Sequence, residues 1–167
     1  KFFKGALDKI GEVHVANSCP TLATELSSHR VITPEIYDEN YIETLLDYSK
    51  RNDISFLLSL FDIDLLVLAK NKDRFTSIGV EVILADQEKV EICNDKWKTH
   101  QFLLSKGLES PASFLEIEQV LDAINSKHIG YPLIIKPRWG MGSIGIFYAH
   151  NESELKALYS ISKKTCF

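Results

Sequence analysis

Apolar positions along the chain follow two rhythms, one spaced for helices and one for strands. Phe2, Phe3, Leu7 and Ile10 recur at helical spacing over residues 1–10, and Gly11 is placed to end that helix. Val13-His14-Val15-Ala16 predicts a short strand that stops at the turn-forming Asn17-Ser18-Cys19-Pro20, and a second strand is expected over residues 30–32, before Thr33-Pro34. From Asp38 the pattern becomes amphipathic: Tyr41, Ile42, Leu45, Leu46 and Tyr48 share a helix that runs to Asn52-Asp53. The run 54–60 is almost continuously apolar, as a parallel strand buried on both faces demands. A helix over 64–78 closed by Gly79 and a strand over 80–84 complete the alternation. Strand and helix in this order predict an α/β layer with a parallel sheet.

After Asp86 the pattern changes. Helices are expected over 88–92 and 95–106, with Gly107 as the stop, and Gly107-Leu108-Glu109-Ser110-Pro111 reads as a linker into new material. A domain boundary therefore belongs between Asn94 and Ser110, giving a first domain of 1–93 and a second of 94–167. The second opens with a short strand over 112–115 and a helix over 116–127. It continues with a strand over 131–137, a glycine-rich turn, a returning strand over 144–149 and a helix from Glu152. No internal repeat or low-complexity tract interrupts it.

Composition narrows the partners. With 19 Lys and Arg against 23 Asp and Glu, the chain carries a net charge of −4, which argues against a broad nucleic-acid surface but permits a local basic pocket. Cys19, Cys93 and Cys166 are scattered without a CxxC spacing and read as reduced thiols of a cytoplasmic protein. His14, His29, His100, His128 and His150 lack metal-ligand spacing, so no metal ligand is assigned. No apolar run approaches the length of a membrane helix.

The stretch richest in chemistry is 132–146. Lys136 closes an apolar strand, where an ammonium is costly unless something anionic lies at the strand's mouth. The glycine-rich turn that follows, Gly140-Met141-Gly142-Ser143, lets successive backbone N–H groups point into one concavity and approach phosphate oxygens. Two plainer readings stand beside this one: the glycines form only a turn, and Lys136 snorkels to water. The turn is neither a Walker A loop nor a dinucleotide fingerprint, because no helix follows it.

The run Tyr131-Pro132-Leu133-Ile134-Ile135-Lys136-Pro137-Arg138-Trp139-Gly140-Met141-Gly142-Ser143-Ile144-Gly145-Ile146 resembles the central lysine strand and phosphate-covering loop of ATP-grasp enzymes. Upstream, Asn94-Asp95-Lys96-Trp97 and Phe102-Leu103-Leu104-Ser105-Lys106-Gly107-Leu108-Glu109-Ser110-Pro111 resemble that family's Asp-Lys segment and the run after it. The segment before them looks like the family's preceding Rossmann-like domain. The resemblance is to carbamoyl-phosphate synthase large-subunit-like proteins and similar carboxylate–amine ligases.

That resemblance implies ATP and Mg²⁺ as cofactors and small carboxylate and amine substrates. Lys96 would approach the phosphates from the first domain's edge, and Lys136 would meet the α- and β-phosphates or the adenine side. Gly140, Met141, Gly142 and Ser143 would close over the β- and γ-phosphates as a lid. The implied reaction passes through an acyl phosphate. Against the family pattern the chain starts inside the first helix, so an N-terminal truncation is expected, and it ends just past the lid. The Mg²⁺ ligands are expected in an absent C-terminal half. The chain by itself is therefore not expected to turn over substrate, no catalytic residue is assigned, and assembly as a homo-oligomer stays open.

Other residues carry weaker expectations. Asp62 and Asp64 lie at the end of an apolar strand, where ligands bind in α/β sheets, but helix capping is preferred. Asn17 and Ser18 read as a plain turn, Arg138 as either an anion partner or a solvated loop residue, and Trp139 as packing at the base of the lid. His100 reads as a surface or boundary histidine, Cys93 as a buried thiol, and Glu152 and Glu154 as complements to a helix dipole. Two further functions remain open: a non-catalytic nucleotide-binding module, and a dinucleotide-binding oxidoreductase suggested by the βαβ rhythm alone.

Overall fold

A computed structural model describes residues 2–7 and 10–164, with the side chains of 2–4 and 163–164 outside the description. Cys166 and the side chains of Phe2 and Phe3 therefore lie beyond it. The chain divides into two compact units, 1–85 and 86–167. The division falls before the helix Gln87–Asn94 rather than after it, because that helix packs on the one that follows.

The first unit contains α1 (Phe2–Leu7), β1 (His14–Asn17), α2 (Leu22–Glu25), β2 (His29–Ile32), α3 (Tyr41–Arg51), β3 (Phe56–Leu57), α4 (Asp62–Lys70), α5 (Lys72–Ser77) and β4 (Glu81–Val82). Its sheets are parallel, β1 with β2 and β3 with β4, each two-stranded among the described residues. Helix α3 forms where Tyr41, Ile42, Leu45 and Ser49 fall on one buried face, and Lys50 and Arg51 complement its carbonyl end. The core joins that face to Leu68, Phe75, Val80 and Val82.

Three expectations change here. The strand expected over 54–60 shortens to Phe56–Leu57 and is not buried on both faces: Ile54 and Leu57 pack on the core, whereas Phe56, Leu58 and Leu60 are exposed. The helix expected over 64–78 is broken at Asn71, whose side-chain amide donates to the Val67 carbonyl at 2.9 Å and so competes with the helical ladder. Ile10, placed by spacing on the apolar face of α1, is exposed.

The second unit contains α6 (Gln87–Asn94), α7 (Lys96–Ser105), α8 (Ile117–Asn125), β5 (Leu133–Ile135), β6 (Phe147–Ala149) and α9 (Glu152–Lys164). No strand forms over 112–115, where the Ser113 hydroxyl bonds the Pro111 carbonyl instead of a sheet neighbour. Strands β5 and β6 pair antiparallel, with Leu133 opposite Ala149 and Ile135 opposite Phe147. The chain from Lys136 to Ile146 is the loop that joins them. Helix α9 packs on this hairpin, with Ala149 and Leu155 buried. Asn151 accepts from the Glu154 N–H, and the Glu154 carboxylate accepts from the His150 N–H, which anchors the start of α9.

Candidate functional site

Helix α7 begins at Lys96 because Asp95 caps it. The Asp95 carboxylate accepts from the N–H groups of Trp97 and Lys98 at 2.9 and 3.2 Å, although only 3% of the residue is exposed. The same carboxylate receives Arg138 from the β5–β6 loop: Nε donates at 2.8 and 2.9 Å and Nη2 at 2.7 Å. A planar guanidinium suits this forked contact. Arg138, left open between an anion partner and a solvated residue, thus has an internal carboxylate partner. Its hydrogen bonds hold the Asp95 carboxyl below the usual carboxylate range, against the opposing effect of burial.

This clamp fixes the loop over the start of α7. The Lys96 N–H donates to the Arg138 carbonyl at 3.2 Å, and Lys96 Nζ donates to the Gly140 carbonyl at 2.9 Å. Lys136 lies one residue past β5 and is exposed, so its position does not impose the burial cost expected for a strand lysine. Burial first, and the like charge of Lys136 second, push Lys96 below its ordinary value. Among the described residues neither lysine forms a salt bridge.

Lys96, Lys136, Gly140, Met141 and Ser143 surround one cleft, with Pro137, Ile144 and Ile146. Gly142 belongs to the same turn but does not line the cleft. The cleft holds about 30 Å³, close to one water molecule's share of liquid volume. Ser143 sits at φ 60°, a strained conformation for a residue with a side chain, and Gly145 at φ 75°. A Cβ at Gly145 would lie 2.9 Å from Pro137 Cγ, so glycine is required there on two grounds.

Several lesser expectations are settled. Trp139 does not pack a base: it is 57% exposed, with the Arg138 guanidinium 4.7 Å from its ring centroid. Cys93 is exposed rather than buried, because α6 turns Val90 inward instead; Cys19 is exposed too, and both are free. Asp62 and Asp64 occupy the first turn of α4 without capping it. Buried Asp64 accepts from the Tyr41 and Ser59 hydroxyls, which makes it an internal hydrogen-bond acceptor. His100 is half-buried and pairs with the Ser110 hydroxyl.

Sequence spacing missed one grouping. Glu12, His14 and His29 come together in the first unit, with their ligand-type atoms within 4.8 Å of one another. Glu12 and His14 are close in sequence but His29 is not, and the pairing of β1 with β2 sets His29 beside His14. Only the parallel register reveals the group.

Residues 93–164 match the family model of the ATP-grasp domain, and residues 1–83 match that of the PylC-like N-terminal domain. Residues 93–164 belong to the ATP-grasp superfamily. Over 166 residues it is 28% identical to the N-terminal section of the carbamoyl phosphate synthase large chain of Aquifex aeolicus, covering 92% of this chain and 28% of that protein. The arginine-specific mitochondrial large chain of Neurospora crassa is 26% identical over 160 residues, covering 90% of this chain and 13% of that one. The chain thus spans less than a third of either relative's length. The biotin carboxylase domain of Hydrogenobacter thermophilus 2-oxoglutarate carboxylase, solved with MgADP, ADP and bicarbonate, is similar in fold. It has a TM-score of 0.69 at 18% identity and covers 96% of this chain and 37% of that one. No described helix is long and apolar enough to cross a membrane.

Proposed function

We propose that the chain is the ATP-phosphate-binding part of an ATP-grasp carboxylate–amine ligase resembling the carbamoyl-phosphate synthase large subunit. The observation that carries this reading is the convergence of Lys96, Lys136 and the glycine-rich turn on one cleft. Two lysines without a salt bridge, beside a backbone rich in glycine, fit a polyphosphate. The cleft's small volume means that the loop lifts to admit the nucleotide, and Lys96 then exchanges the Gly140 carbonyl for a phosphate oxygen. Lys136 meets the α- and β-phosphates as a point charge. The N–H groups of Gly140, Met141, Gly142 and Ser143 cover the β- and γ-phosphates.

In the proposed reaction a carboxylate oxygen attacks the γ-phosphorus, the bond to the β-phosphate oxygen breaks, and ADP leaves. The amine then attacks the acyl carbon and displaces phosphate. Mg²⁺ bound with the nucleotide would offset charge on the transferring group. This reading assigns the magnesium ligands to another part of the enzyme, since the cleft is lined by lysines, glycine and apolar side chains with Ser143. The 167 residues alone are therefore expected to be inactive.

The test uses the whole protein that carries this chain, assayed for carboxylate-dependent ADP release with hydroxylamine as the trap for an acyl phosphate. The reading predicts a hydroxamate that requires ATP and is lost in Lys136→Ala. ATP binding without carboxylate-dependent ADP release would instead establish a non-catalytic nucleotide-binding module.

A further inference from the structure

Strand β1 starts at His14, and Glu12 lies two residues earlier, a spacing that puts both on one face of extended chain. Strand β2 runs parallel and sets His29 directly beside His14. The imidazoles stack, with centroids 4.6 Å apart and planes inclined by 23°. One oxygen of Glu12 serves both rings: Oε2 is 3.7 Å from His14 Nε2 and 3.5 Å from His29 Nε2. The far side of His14 is held as well, since its Nδ1 lies 2.8 Å from the Tyr48 hydroxyl on α3.

We infer that Glu12, His14 and His29 form a site for a divalent transition-metal ion, with the chemistry of Zn²⁺. Tetrahedral Zn²⁺ at about 2.0–2.2 Å from nitrogen and oxygen places its ligand atoms roughly 3.3 Å apart. The two Glu12 contacts are within a few tenths of an ångström of that separation. All three ligand atoms fall within 4.8 Å of one another, and because the two rings are stacked, the more exposed His29 must turn about its side-chain torsions to bring an ion into the planes of both imidazoles. Two imidazoles and one carboxylate suit zinc and leave a fourth position for water or a further ligand.

The surroundings favour the metal-binding form. A histidine that binds through Nε2 carries its proton on Nδ1 and donates it to an outer partner, here the Tyr48 oxygen. The site belongs to the first unit, and the lysine cleft to the second.

The decisive experiment titrates Zn²⁺ alone into the chelator-treated 167-residue chain by calorimetry, with Co²⁺ absorption as a readout of tetrahedral coordination. Glu12→Gln and His29→Gln are the informative variants, because these side chains are 71% and 41% exposed and lie outside the core, unlike His14 at 13%. The site predicts one ion per chain, a tetrahedral Co²⁺ spectrum and marked loss of affinity in both variants. Tyr48→Phe should weaken binding by about 10- to 100-fold through loss of the outer contact. Absence of Zn²⁺ binding at micromolar concentration would overturn the inference. So would binding that is equal in wild type, Glu12→Gln and His29→Gln, which would place the ion on other histidines or cysteines.

Discussion

Asp95 ties helix α7 to the loop through a single carboxylate, capping Trp97 and Lys98 while clamping Arg138. Two substitutions separate these contributions. Asn is as good a cap as Asp, so Asp95→Asn retains the cap and loses the charged clamp, whereas Asp95→Ala loses both. The cap alone is worth about 1 kcal/mol, and urea unfolding should rank wild type above Asp95→Asn above Asp95→Ala. Because Arg138 holds the folded carboxyl below its usual range, the ionised form is the one the fold favours. That stabilisation is complete above the unfolded value near 3.9 and is lost as pH falls through the lower folded value. Unfolding in acid should therefore show a shallower loss of stability for Asp95→Asn than for wild type. Identical slopes would remove Asp95 as the titrating group. A second contrast lies in the loop's glycines. Gly145→Ala meets both a positive φ and the Pro137 ring, whereas Gly142→Ala at φ 64° meets no atom within 4 Å. Thermal unfolding should show the Gly145→Ala penalty as the larger, with Gly142→Ala at about 1 kcal/mol.

At the scale of elements, periodicity located most helices but not where they break or which strand faces are covered. The amphipathic spacing of Tyr41, Ile42 and Leu45 was enough to place α3. Asn71 looked compatible with one long helix, yet its amide finds the Val67 carbonyl and splits the segment into α4 and α5. The break is followed by Phe75, which is 0% exposed in the core. Phe75→Ala should consequently cost about 3–5 kcal/mol in chemical denaturation, with a loss below 1 kcal/mol contradicting its central place. The run 54–60 misled for another reason. Continuous apolarity was read as two-sided burial, but β3 is only Phe56–Leu57, has only β4 as a ladder partner among the described residues, and leaves Phe56 exposed together with Leu58 and Leu60 beyond it. Apolar composition alone did not say which face the protein covers.

On the scale of the whole molecule, the two segments that resembled ATP-grasp motifs are those that fold together. Lys96 and Lys136 stand 40 positions apart and line the same cleft. Their order along the chain was legible because each motif is local: an Asp-Lys helix start and a lysine before a glycine turn. The Asp95–Arg138 clamp was not legible, since either residue alone is equally consistent with solvent exposure and only the docking of loop on helix pairs them. Glu12, His14 and His29 escaped for the same reason, their proximity being a matter of strand register rather than spacing. Phosphate binding at the lysine cleft, within the residues that match the ATP-grasp domain model, is the central claim. The most direct measurement is a calorimetric titration of MgATP into the whole protein that carries this chain, with wild type and Lys136→Ala side by side. The account predicts saturable binding that weakens at least tenfold in Lys136→Ala, a difference of about 1.4 kcal/mol. Equal affinities in the two proteins would contradict it.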